Sequence, residues 1–142
     1  MRNRTVVLVL TFLILCLAPL QTFASETSQA TNSEIVPMWT DIVKFSNTFD
    51  ISGSGLFEFD TSLTAYSNIN KVVINANLQQ YVNGNWQTIK SWTSTSYSNM
   101  GDLTQSWYVM SGYYYRLVSS GAAYQNNILM EQTYYTGPSY WY

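Results

Sequence analysis

Few side chains in this sequence can carry proton-transfer or nucleophilic chemistry. The chain has no histidine, and its single cysteine, Cys16, lies in an apolar run near the N-terminus. Histidine is the usual side chain that gains and loses a proton near neutral pH, so Ser–His catalysis and histidine-based acid–base catalysis are excluded. Lys90 and Ser91 are neighbours on a predicted strand and point to opposite faces, so they do not form a Ser–Lys pair. We therefore expect a protein that is not an enzyme.

The enzymatic alternative that the residues leave open is a pair of carboxylates. Glu58 and Asp60 share a face of a predicted strand, and glycoside hydrolysis uses two acids that flank the bond to be broken. A solvated outer face with two charges is the more ordinary interpretation. Asp50 precedes Gly53 and Gly55 nearby, but the spacing matches no calcium loop, and zinc would need His or Cys ligands. We expect no metal and no cofactor.

The most unusual feature is the tyrosine and tryptophan content of the last third of the sequence. Aromatic rings stack on sugars, and Tyr and Trp favour interfaces because one end is apolar and the other forms hydrogen bonds. On a strand with aromatics at successive positions, such as residues 113–115, alternate side chains point to opposite faces, and those on one face fill the core. Those on the other face form either a ligand platform or an ordinary Tyr-rich surface. The residues assigned to a ligand-binding face are Tyr108, Tyr114, Tyr135, Tyr140 and Trp141.

Two tryptophans lie earlier, on one predicted strand. Trp92 lies six positions after Trp86, an even spacing that places both side chains on the same face of a regular strand. We expect both to pack in the core.

The N-terminal residues have the pattern of a secretory signal peptide. Arg2 and Arg4 precede an apolar run over residues 6–18, Pro19 interrupts it, and small residues end at Ala24. We predict a signal peptide over residues 1–24, a flexible polar leader over 25–37 and one β domain over 38–142. Cleavage would remove Cys16, so the secreted protein would have no disulfide, which favours a bacterial extracellular origin.

The charge of the processed chain limits its partners. Four basic and eight acidic side chains would remain after residue 24, a net charge of −4. No basic patch is available for phosphates, so nucleic acid and anionic lipid surfaces are not expected partners. No later apolar stretch approaches the ~20 residues of a membrane-spanning helix.

The clearest structural signal is an antiparallel hairpin over residues 71–95. Apolar residues alternate with Asn and Gln from Val72 to Gln79, which is typical of a half-buried strand. Asn83 and Gly84 then supply a two-residue turn, because both tolerate a positive φ.

Shorter strands are predicted on both sides of this hairpin. Residues 56–66 form a strand that is either continuous or broken near 60–62, and 105–110, 113–119 and 128–135 form three more. Ser120-Gly121 is predicted to break the chain, and Pro138 to end regular structure. Residues 38–49 favour either a helical stripe or an irregular start followed by a strand. Strands at this spacing are typical of an all-β, antiparallel β-sandwich.

The hairpin Asn83-Gly84-Asn85-Trp86, the segment 112–117 and the closing strand resemble an immunoglobulin or fibronectin type III module over about residues 45–135. The resemblance implies an immunoglobulin-like sandwich in which Tyr113 or Tyr115 caps a corner. Residues 78–92 and 112–117 also resemble a family of small secreted proteins of unknown function from Gram-positive bacteria. That resemblance supports fold and location and implies no activity.

Together these patterns predict a secreted, non-catalytic binding module. Its expected partner is a cell-wall polysaccharide or a surface protein. The flat Tyr-rich edge near the C-terminus could also pair with a second chain and form an oligomer. A bacteriocin-like or toxin-like effector and a carboxylate-dependent glycosidase are the alternatives.

Overall fold

The computed structural model describes residues 38–142, which form an all-β structure, as predicted. The eight strands are β1 (Ile42–Ile51), β2 (Leu56–Ala65), β3 (Lys71–Val82), β4 (Asn85–Ser96), β5 (Met100–Tyr108), β6 (Tyr114–Gln125), β7 (Ile128–Thr136) and β8 (Tyr140–Trp141). The predicted signal peptide and leader lie outside the described residues. Within residues 38–142, no helix is long and apolar enough to cross a membrane.

Two antiparallel sheets pack against each other as a sandwich. Sheet A has the strand order β1-β2-β5, and sheet B has the order β4-β3-β6-β7, with β8 paired to the start of β6. Alternate residues of the central strands face the interior, as period-two patterning requires. The largest fully buried side chains include Tyr115, Phe57, Leu63, Ile74, Leu78 and Leu117.

The predicted hairpin is confirmed, and it contains one irregularity. β3 and β4 pair antiparallel around Asn83 and Gly84, whose φ angles are 51° and 82°, as a tight two-residue turn requires. Leu78 pairs with Lys90 but Gln79 pairs with Thr88, so Ile89 is an extra residue in β4. This β-bulge reverses the face to which the residues before it point.

A second bulge explains why residues 38–49 have a helix-like spacing. Ile42 pairs with Ala65, but Lys44 pairs with the adjacent Thr64, so Val43 is the extra residue of β1. Ile42 and Phe45 therefore both contact the core although they are three residues apart. The strand alternative is correct, and the helical stripe is wrong.

The predicted break at Gly121 is wrong, and of the two alternatives for residues 60–62 the continuous strand is correct. β2 runs without interruption through Asp60 to Ser62, and β6 continues through Gly121 to Gln125. At Gly121 a Cβ would lie 2.8 Å from Leu63 Cδ1 and 3.0 Å from Phe45 Cε2. Glycine is present there because the two sheets approach closely, and not because the chain turns.

The corner between β5 and β6 is fixed by a buried tyrosine hydroxyl. Tyr115 Oη donates to the Met110 carbonyl at 2.7 Å, and Gln80 Nε2 donates to Tyr115 Oη at 3.1 Å. Burial raises the pKa of Tyr115, although the hydrogen bonds to Met110 and from Gln80 act in the opposite direction. Of the two tyrosines suggested as the corner cap, Tyr115 makes the contact.

The C-terminal residues dock on sheet B. β8 follows Pro138, so the prediction that regular structure ends at this proline is wrong. The backbone N–H groups of Gly112 and Tyr113 donate to the Tyr142 carbonyl, and Tyr142 N–H donates to the Tyr113 carbonyl. These bonds place Trp141 beside the start of β6.

Candidate functional site

Four aromatic side chains and one arginine meet on the outer face of sheet B. We call this set the aromatic patch: Tyr81, Trp86, Tyr114, Arg116 and Trp141. The Tyr81 and Trp86 rings are 5.1 Å apart, and the Tyr114 and Trp141 rings are 4.9 Å apart in an edge-to-face arrangement. Such geometry is the preferred one for aromatic pairs and holds each ring in a defined orientation.

Three of the patch residues border a shallow depression. Tyr81, Trp86, Tyr114 and Ser139 line about 260 Å³ of open space. This volume is slightly below the ~300–1,000 Å³ of sites that enclose a drug-sized ligand. The depression therefore suits one ring-sized group of a larger ligand that lies across the surface.

Arg116 stacks on the first of the two aromatic pairs. Its guanidinium carbon lies 4.1 Å above the Trp86 ring, and its Nε donates to Gln79 Oε1 at 2.9 Å. Gln79 in turn donates from Nε2 to Thr88 Oγ1 at 3.3 Å. Stacking and hydrogen bonding restrain the guanidinium against Trp86, so its side chain has little freedom left to lose.

Strand register explains how distant residues meet here. Tyr81 pairs with Trp86 across the β3–β4 hairpin, and Tyr114 pairs with Trp141 across β6 and β8. Directly paired residues of antiparallel strands lie on the same face, so each pair forms one contact on the outer side. β3 and β6 are neighbours in sheet B, which brings the two pairs together.

Trp86 and Trp92 do not share a face, which corrects the sequence prediction. Trp92 packs against Phe59 in the core, with ring centroids 5.0 Å apart, whereas Trp86 lies outside with Tyr81. The bulge at Ile89 inserts one residue between them and reverses the parity. Only Trp92 is a core residue.

Two of the five assigned ligand-binding residues lie in the patch. Tyr114 is 46% exposed and Trp141 is 62% exposed. Tyr108 ends β5 in the other sheet, so the structure does not bring it to this surface.

The other two assigned residues face the opposite side of sheet B. Tyr140 pairs with the buried Tyr115, and its ring packs edge-to-face on Phe49 at 5.1 Å. Tyr135 packs against the core, and burial together with the neighbouring Tyr140 raises the pKa of its hydroxyl. Tyr135 is held by packing, whereas Tyr140 packs on Phe49 and remains 43% exposed, outside the patch.

Sequence reasoning missed three members of the patch: Tyr81, Trp86 and Arg116. A signal existed for each of them. Tyr81 has the outward parity of Asn75, Asn77 and Gln79 on β3, and Arg116 has the parity of Tyr114 on β6. For Trp86 the signal was the two-residue turn at Asn83-Gly84, which fixes a register that pairs Trp86 with Tyr81 on one face; the bulge, which the residue types do not reveal, is what separates Trp92 from that face.

The carboxylates considered for catalysis or calcium lie on the outer face of sheet A. Asp50 is paired with Glu58, and Thr48 is paired with Asp60, across β1 and β2. The three carboxylates and Thr104 line a depression of about 320 Å³, and Thr104 Oγ1 donates to Asp60 Oδ2 at 2.6 Å. Within residues 38–142, no group of three or more acidic residues is close enough to hold a metal ion.

Comparison with known proteins gives no family assignment. No family model matches the chain, and no curated protein is similar to it in sequence.

Proposed function

We propose that this protein is a secreted, non-catalytic binding module that holds polysaccharide on the aromatic patch. The observation that carries the proposal is the meeting of Tyr81, Trp86 and Tyr114 around one open depression, with Trp141 packed against Tyr114. The faces of sugar rings present C–H groups, which the electron-rich face of an aromatic ring attracts. Secretion is supported by the signal-peptide pattern of residues 1–24.

The size of the surface favours a glycan over a folded protein partner. A stable protein interface buries about 800 Å² on each side and has a packed apolar centre. The patch instead offers a small depression with aromatic rings at its rim and polar side chains beside it. Asn75 and Asn77 on β3 accept hydrogen bonds from Thr93 and Ser91, which continues a polar surface along the same face. A chain of sugars could lie along this face.

The strand order supports an immunoglobulin-like assignment. The first, second and fifth strands form one sheet, and the third, sixth and seventh lie together in the other, as A-B-E and C-F-G do in that fold. β4 pairs with β3 on the free edge of sheet B. The Tyr115 contact to Met110 matches the corner tyrosine of such domains. Domains of this architecture support many unrelated functions, so the fold itself does not identify the ligand.

The proposal is tested by retention on protease-treated Gram-positive cell walls and on a panel of polysaccharides. We expect Trp86→Ala and Tyr114→Ala each to weaken binding about tenfold, as truncation of a central aromatic contact does. Tyr97→Ala is the matched control, because Tyr97 is 85% exposed in the β4–β5 connection and lies outside the patch.

Thermal unfolding of each variant separates ligand contact from folding. The proposal requires that the variants unfold within a few degrees of the parent protein. Equal retention of all three variants would contradict it, as would failure to bind any polysaccharide. Retention only on walls not treated with protease would instead indicate a protein partner.

A further inference from the structure

We propose that the ligand of the aromatic patch is an acidic polysaccharide, and that Arg116 binds a carboxylate of its sugar units. This inference rests on the proposed function. The observation behind it is the position of Arg116 among the aromatic rings, stacked on Trp86 and held by Gln79.

The other three cationic side chains of residues 38–142 lie elsewhere. Lys71 Nζ lies over the Tyr124 ring and donates to Asn127 Oδ1, at the far end of β3 from Tyr81. Lys90 Nζ lies 4.2 Å from the centre of the Trp107 ring, on the inner side of β4. Lys44 is exposed on sheet A. Arg116 therefore supplies the positive charge of the patch.

The acidic side chains are segregated from Arg116. Strand register places four of them on the outer face of sheet A: Asp50, Glu58, Asp60 and Asp102. Asp41 precedes β1, and Glu131 is held by backbone N–H groups of residues 40–42. The strand positions on the outer face of sheet B within residues 38–142 therefore contain no carboxylate.

An arginine without a carboxylate on its own face is suited to bind an anion from the ligand. The planar guanidinium forms paired hydrogen bonds with a carboxylate, and stacking on Trp86 leaves it less hydrated than an exposed lysine would be. The acidic face of sheet A repels the same ligand. An acidic polymer would thus bind on sheet B alone, and charge would determine its orientation on the protein.

Uronic acid polymers and their carboxyl-reduced forms provide a matched pair of probes. Polygalacturonate and hyaluronan would each be compared with a form in which the carboxylates are reduced to primary alcohols. We expect the parent protein to bind at least one acidic polymer about tenfold more tightly than its reduced form, with a difference that decreases as salt rises.

Substitutions at Arg116 test whether this preference belongs to the patch. Arg116→Gln should remove the preference for the acidic form, and Arg116→Lys should retain only part of it because the paired geometry is lost. Lys44→Gln removes the same charge from sheet A and should leave the preference intact. Thermal unfolding confirms that each variant is folded.

The outcomes distinguish this inference from the proposed function. Equal binding of acidic and reduced polymers, with loss on Trp86→Ala, would overturn the role of Arg116 and leave the polysaccharide site standing. An equal effect of Lys44→Gln and Arg116→Gln would show that net charge alone is responsible, and would also overturn it. Failure to bind either acidic polymer or any other polysaccharide would overturn both.

Discussion

Replacement of Tyr115 by phenylalanine is expected to destabilise the sandwich strongly, because the hydroxyl has two partners. Tyr115 is 1% exposed, and its hydroxyl joins the Met110 carbonyl to the side chain of Gln80. Tyr115→Phe keeps the ring and removes only the oxygen. The perturbation therefore reports on the hydrogen bonds and not on a cavity of side-chain size.

The magnitude follows from the surroundings of the two partners. Met110 lies in an exposed segment, so its carbonyl can bind water and the lost bond costs about 1 kcal/mol. Gln80 is 8% exposed, and a buried amide donor without a partner costs about 1–3 kcal/mol. The total is about 3 kcal/mol, which for a domain of this size corresponds to a decrease in Tm on the order of 10 °C or more.

Urea unfolding of four proteins measures this effect: the parent, Tyr115→Phe, Gln80→Leu and the double variant. Since Gln80→Leu removes the donor, Tyr115→Phe should cost about 1–2 kcal/mol less in that background. Tyr113→Phe is the control. It removes the hydroxyl of a neighbouring tyrosine and leaves the bond to the Met110 carbonyl in place, because Tyr115 makes that bond. A cost below about 0.5 kcal/mol for Tyr115→Phe, or the same cost in both backgrounds, would refute the reasoning.

Two further predictions concern carboxylates. Burial acts to raise the pKa of Glu131, but hydrogen bonds from the N–H groups of Ile42, Asp41 and Thr40 outweigh it and lower the pKa below 4.5. Because the folded pKa is depressed, this stabilisation is present at neutral pH and is lost as the pH falls below about 4.5. Glu131→Gln should therefore cost about 2 kcal/mol in urea unfolding at pH 7 and less at pH 3; an equal cost at both would contradict this. Asp50 lies directly opposite Glu58. Asp50→Asn should stabilise the protein by about 0.5 kcal/mol at low ionic strength, and a gain that persists in 1 M salt would exclude charge repulsion as its cause.

Period-two patterning predicted the fold well wherever the strands are regular. The β3–β4 hairpin, its Asn83-Gly84 turn and the inward faces of Phe57 and Phe59 follow directly from alternation and turn chemistry. These features depend on neighbouring residues only. A single sequence contains all the information that they need.

The errors arise where one strand carries an extra residue or where the two sheets meet. Val43 in β1 and Ile89 in β4 are ordinary β-branched residues, and nothing in their type identifies a bulge. Gly121 has the composition of a turn, but it is present because Leu63 and Phe45 from sheet A approach it. Such causes depend on the partner strand or sheet, which only the folded structure supplies.

The same limit applies to the candidate site. Tyr114 could be selected by parity, because in the first half of β6 the odd residues are buried and the even ones are not. Tyr81, Trp86 and Arg116 could be joined to it only through the pairing of β3 with β4 and β6. A binding surface that crosses several strands is a property of their register.

The bulge at Ile89 also explains how the aromatic patch can exist without weakening the core. On a regular strand the even spacing of Trp86 and Trp92 would place both side chains on the same face. With Trp92 packed on Phe59, Trp86 would then also point inward. β4 is an edge strand with one partner, so it accommodates the insertion without disturbing a second ladder. One inserted residue thus divides the two tryptophans of β4 between the core and the outer face. For this reason we expect Trp86 to contribute mainly to ligand binding and Trp92 to stability.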